Sequence, residues 1–113
     1  VAAPAVRAVQ ITATVLNPSI RTMHRTVTAR AAITRLARML NGLPAAPAGT
    51  WPCPAIATSY RLTFEPASGG RPAIVVRPTG CLTDSVAVGS RLAPPLWDPG
   101  ERLIRLARVL LRR

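Results

Sequence analysis

Residues 53–81 read CPAIATSYRLTFEPASGGRPAIVVRPTGC, and the fold turns on how that stretch is parsed. From Ser59 to Glu65 the side chains alternate: Tyr60, Leu62 and Phe64 on one side, Arg61, Thr63 and Glu65 on the other. That is the period of a half-buried strand. Ser68-Gly69-Gly70 supplies a turn and Ala73 to Arg77 a returning strand, so the stretch contains a β-hairpin. The chain's two cysteines, Cys53 and Cys81, bracket it. A single disulfide between them is the natural expectation, and closing that loop removes about 3.5 kcal/mol of unfolded-chain entropy. Paired cysteines belong to an oxidising compartment, which points to a secreted or cell-envelope protein.

Upstream, Val9, Ile11, Ala13 and Val15 alternate with Gln10, Thr12 and Thr14, which predicts a first strand. Asn17-Pro18-Ser19 is a turn signal, and Ile20 to Val27 returns as a second strand. A helix is predicted from a Thr28 cap to Gly42. Ala32, Ile33, Leu36, Met39, Leu40 and Leu43 share its apolar arc, while Arg30, Thr34, Arg35, Arg38 and Asn41 lie opposite. Pro44 to Pro54 holds four prolines and a glycine and reads as a surface loop.

Downstream, Val86 to Leu92 reads as a short fifth strand, interrupted by Gly89 and stopped by Pro94-Pro95. Asp98-Pro99-Gly100-Glu101 combines an N-cap, a proline at the first helical position and a carboxylate at the third, starting a final helix. The expected class is α+β: an antiparallel sheet of four to five strands with two helices on one face, in the order ββαβββα, with one disulfide. Residues 1–113 form a single domain, with 1–7 as a flexible arm.

At 113 residues and 49% hydrophobic content the chain sustains one core, and no apolar run approaches the roughly 20 residues that cross a bilayer. Fifteen basic residues, all arginine, face Glu65, Asp84, Asp98 and Glu101, for a formal charge of +11. A chain without lysine is what a high-GC coding bias produces; it is also what guanidinium recognition of phosphate, acidic polysaccharide or anionic lipid uses.

The inventory for catalysis is thin. His24 is the single histidine, and no Gly-x-Ser-x-Gly elbow accompanies it. Two cysteines and one histidine leave a zinc site a ligand short. The expectation is a protein that is not an enzyme and has no cofactor and no metal. Tyr60, Leu62 and Phe64 form a core stripe instead of a base-stacking platform, so no specific nucleic acid is expected. The basic stripe of the last helix, Arg102, Arg105, Arg108 and Arg112, suits an anionic polymer or membrane surface.

The run Cys53-Pro54-Ala55-Ile56, with a helix and loop before it and a hairpin closing at Cys81 after it, resembles the reactive-site region of the bacterial subtilisin inhibitor-like family. The resemblance implies a secreted inhibitor that offers a substrate-like loop to a serine protease. Ala55-Ile56 would be the scissile bond, Ala55 would fill the primary pocket, Pro54 would stiffen the loop and a Cys53–Cys81 bond would anchor it. That family carries a second disulfide, for which this chain has no cysteines, and a C-terminal strand where this chain places an arginine-rich helix. Two functional expectations follow: a serine-protease inhibitor, or a basic binding module of the cell envelope.

Overall fold

The structure, a computed structural model, describes residues 1–15, 19–49, 58–78 and 82–112. Strands β1 (Val6–Val15) and β3 (Thr58–Pro66) pair antiparallel, with Val9 opposite Phe64, Ile11 opposite Leu62 and Ala13 opposite Tyr60. The alternation read from the sequence puts all six of these on one face, where all are buried. Strand β2 (Arg21–Val27) extends the sheet beyond β1, while β4 (Ile74–Pro78), β5 (Thr83–Val88) and β6 (Arg91–Trp97) extend it beyond β3, giving the order β2-β1-β3-β4-β5-β6. Helices α1 (Arg30–Asn41) and α2 (Arg102–Leu111) pack on the apolar face through Ile33, Leu36, Leu103 and Leu106. The α+β class with an antiparallel sheet holds.

Two parts of the expected class are corrected. The sheet has six strands, in the order ββαββββα, because the stretch read as one interrupted strand is a hairpin. Gly89, at φ +61°, and Ser90 link Val88 to Arg91 in a two-residue turn of the kind that needs a positive φ. Pro94 and Pro95 do not stop a strand but lie within the edge strand β6, at a register shift between the pairs Val86–Ala93 and Asp84–Leu96, where neither is asked for a ladder bond to β5. The single disulfide is the second correction. No disulfide occurs among the described residues, and both Cys53 and Cys81 lie outside them. Among the described residues the hairpin is held by backbone pairing to β1 on one side and β5 on the other.

The helix ends also differ from expectation. Helix α1 starts at Arg30 after Ala29, with no side-chain cap from Thr28. Its first residue instead reaches away from the helix: the Arg30 guanidinium donates to Val6 O and Ala3 O, both at 2.6 Å, tying α1 to the segment leading into β1. Gly42 ends α1 in the right-handed region, its N–H shared between Arg38 O and Met39 O.

Helix α2 begins four residues beyond its capping carboxylate. Asp98 accepts from the N–H of Arg102 at 2.9 Å and of Leu103 at 3.1 Å, across a turn in which Glu101 adopts φ +52°. Two orphan amides are thereby satisfied by one side chain. Asp98 is almost fully buried, and so is Asp84 at the start of β5. Burial, and next the hydrogen bond and charge of Asp98, push the Asp84 carboxyl up to about 8.

Two expectations follow from these local geometries. A Cβ at Gly89 would lie 3.1 Å from the Pro72 Cβ on a backbone that L residues avoid, so Gly89→Val should cost about 1–3 kcal/mol, read as a lowered Cm in urea. Asp84 holds its proton in the fold up to about pH 8 but releases it near pH 4 when unfolded. Its contribution is therefore complete below about pH 4 and is lost as pH rises to about 8. Thermal melts from pH 5 to 8.5 should show a falling Tm that flattens in Asp84→Asn.

Candidate functional site

Arg35 and Arg38 of α1 and Arg102 and Arg105 of α2 are exposed on the polar sides of their helices, as amphipathic packing demands. What the structure adds is that two of these polar faces meet. Arg35 and Met39, one turn apart on α1, stand across a groove from Arg102, Arg105, Leu106 and Val109 on α2. The groove encloses about 290 Å³. Leu106 belongs to the core, Met39 is half-buried and Val109 is exposed, so an apolar strip runs between flanking guanidiniums. The Arg105 guanidinium folds back to donate through Nε to Gly100 O at 3.0 Å, which holds it beside the first turn of α2.

The four sequence-predicted arginines of α2 thus separate. Arg102 and Arg105 line the groove, and Arg112 is exposed at the helix end. Arg108 has a different task. Its Nε donates to the hydroxyl of the buried Tyr60 at 2.9 Å, and its guanidinium carbon lies 5.8 Å from the ring centroid. The Tyr60 hydrogen bond, followed by the charge interaction with Tyr60, raises the Arg108 pKa further. Arg108 ties α2 to β3. Arg35, on the polar side of α1, was not among the predicted binding residues: the sequence shows that it faces outward but not which helix it faces.

Three of the four carboxylates are used away from the groove. Glu65 accepts from Arg7 at 2.9 Å in the only salt bridge among the described residues, and also from Gln10. The bond from Arg7, then that from Gln10, lowers the Glu65 pKa. Asp84 and Asp98 are buried together at the start of α2. Glu101 stands at the α2 N-terminus without an ion pair within 4.0 Å among the described residues.

His24 does not meet an aspartate. Its ring nitrogens contact Thr12 Oγ1 at 3.0 Å and Gln10 Oε1 at 2.8 Å on the neighbouring strand. Asp84 on β5 lies four strand spacings from β2, roughly 19 Å. Among the described residues no group of three metal-ligating side chains occurs, and no helix is long and apolar enough to cross a membrane. The expected inhibitory segment, Cys53, Pro54, Ala55 and Ile56, lies outside the described residues, as do Trp51 and Cys81.

Because Arg108 serves the core and Arg102 does not, their charge reversals should part company. Arg108→Glu should lower stability by about 1–3 kcal/mol in urea unfolding, whereas Arg102→Glu should change it by less than about 0.5 kcal/mol. Equal effects would mean that the Arg108–Tyr60 contact has no structural role.

No family model, curated protein or solved structure matches the chain.

Proposed function

We propose that the protein is a non-enzymatic basic binding module that docks on an anionic lipid surface through the groove between α1 and α2. One observation carries this reading: Arg35, Arg102 and Arg105 converge from two helices around Met39 and Val109, with no carboxylate in salt-bridge reach among the described residues. Guanidinium takes a phosphodiester headgroup through paired N–H donors, and the apolar strip between the arginines contacts the acyl boundary. A soluble polyanion would use the charges but not the strip. The overall charge of +11 adds long-range attraction that salt weakens.

The test is co-sedimentation with phosphatidylcholine vesicles, with and without phosphatidylglycerol. Binding should require phosphatidylglycerol and weaken as salt rises. Each basic residue near an anionic surface contributes about 1 kcal/mol, so Arg35→Glu with Arg102→Glu should weaken binding by about tenfold or more. Val109→Ser should weaken it without altering the salt dependence. Capture of heparin with no vesicle binding, or vesicle binding unchanged in the double variant, would overturn the proposal.

A further inference from the structure

We infer that the helix-free face of the sheet carries a second, separate site that binds a tetrahedral oxyanion such as a phosphate or sulfate group. A shallow pocket of about 280 Å³ opens there, lined by Thr12, Thr14, Ser59, Arg61 and Arg77. The register explains the convergence. Leu62 pairs with Val76 on the buried face, and one step along each strand Arg61 and Arg77 stand side by side on the opposite face. Neither arginine has an ion pair among the described residues. Like charges placed directly across an antiparallel pair repel, and this pair has no protein carboxylate between them. An oxyanion between the two guanidiniums turns that repulsion into a bidentate clamp.

The surrounding hydrogen bonds show which hydroxyls are available. Gln10 Nε2 donates to Glu65 Oε1, which aims the amide oxygen at Thr26 and His24. That oxygen only accepts, so His24 donates to it from Nε2, while its Nδ1 meets the Thr12 hydroxyl at 3.0 Å. The Thr12 hydroxyl is thereby engaged with His24. Thr14 and Ser59 keep theirs for the pocket, giving two neutral donors beside two charged ones. The set contains donors of the kind and number that tetrahedral oxyanions accept from, and no carboxylate lines the pocket.

This site is independent of the groove between the helices, and its test uses different variants. Inorganic phosphate and sulfate are titrated separately into 15N-labelled protein at constant ionic strength, with chloride as the reference salt, following backbone amides. Both oxyanions should give saturable shifts at Thr14, Ser59, Arg61 and Arg77. Arg61→Gln and Arg77→Gln should each raise the Kd by about tenfold, with spectral dispersion retained and vesicle binding unchanged. Thr14→Val should raise it severalfold. Shifts that do not saturate, that chloride reproduces, or that persist with the same Kd in both arginine variants would overturn the inference.

Discussion

The pairing of β1 with β3 is the constraint from which the remaining architecture follows. Beyond a bulge between Val6 and Ala8 both strands alternate, and their register sets Val9, Ile11 and Ala13 against Phe64, Leu62 and Tyr60 on the same side. A one-residue slip would turn the three apolar side chains of one strand to the opposite face, so the register is fixed by burial. Once that face is apolar, both helices must cover it, and the other face must carry Gln10, Thr12, Thr14, Arg61 and Thr63. Covering one face and leaving the other open is an ordinary solution for an antiparallel sheet. Here it produces two polar surfaces of different character, a helical layer with apolar side chains between its arginines and a strand face with hydroxyls between them.

The charge distribution follows from scarcity. With fifteen arginines and four carboxylates, the placement of each acid decides where positive charge remains uncompensated. Two of the four are spent inside the molecule at the start of α2, and a third is held by Arg7 and Gln10. Those positions are structural: one carboxylate satisfies helix amides, and its partner keeps a proton because two buried charges side by side would be too costly. Apart from Arg30 and Arg108, which bond the backbone near β1 and the Tyr60 hydroxyl, the helix arginines and those on the open strand face have no protein acid paired with them among the described residues. The fourth acid, Glu101, precedes Arg102 without an ion pair among the described residues, so one acid borders the helical groove and none lines the pocket on the strand face.

Much of this architecture was legible in the sequence. The period-two patterns of β1 and β3 and the apolar arcs of both helices identify their elements because each is a local repeat long enough to outweigh noise. Asp98 was also readable as the cap of α2, although it reaches its amides across a longer turn than the spacing suggested. Gly89 was the misleading residue. Inside a short apolar run a glycine reads as an interruption, and only its positive φ reveals a hairpin. The two prolines after it compounded the error, since an edge strand tolerates them and a central strand does not. The Cys53–Cys81 staple came from the positions of the two cysteines in sequence, a cue that carries no geometry. The sites were less accessible still. That Arg35 meets Arg102, that Arg61 stands beside Arg77, and that Arg108 is bound to Tyr60 are tertiary facts with no counterpart in spacing.

The two ends of the sheet are unlike. At β6 the backbone from Pro95 to Trp97 is already occupied by residues 44–46: Ala46 N donates to Pro95 O, Trp97 N donates to Pro44 O, and Ala45 bridges Leu96. Pro94 and Pro95 also offer no amide donors. At β2 the outer backbone has no neighbouring strand, and Arg21 and Arg25 are the charges that guard it. Among the described residues, then, the β6 edge is covered along Pro95–Trp97 while the β2 edge is open. Main-chain pairing of β2 against β2 would be a two-fold contact that closes after a single partner and has to overcome arginine repulsion to form.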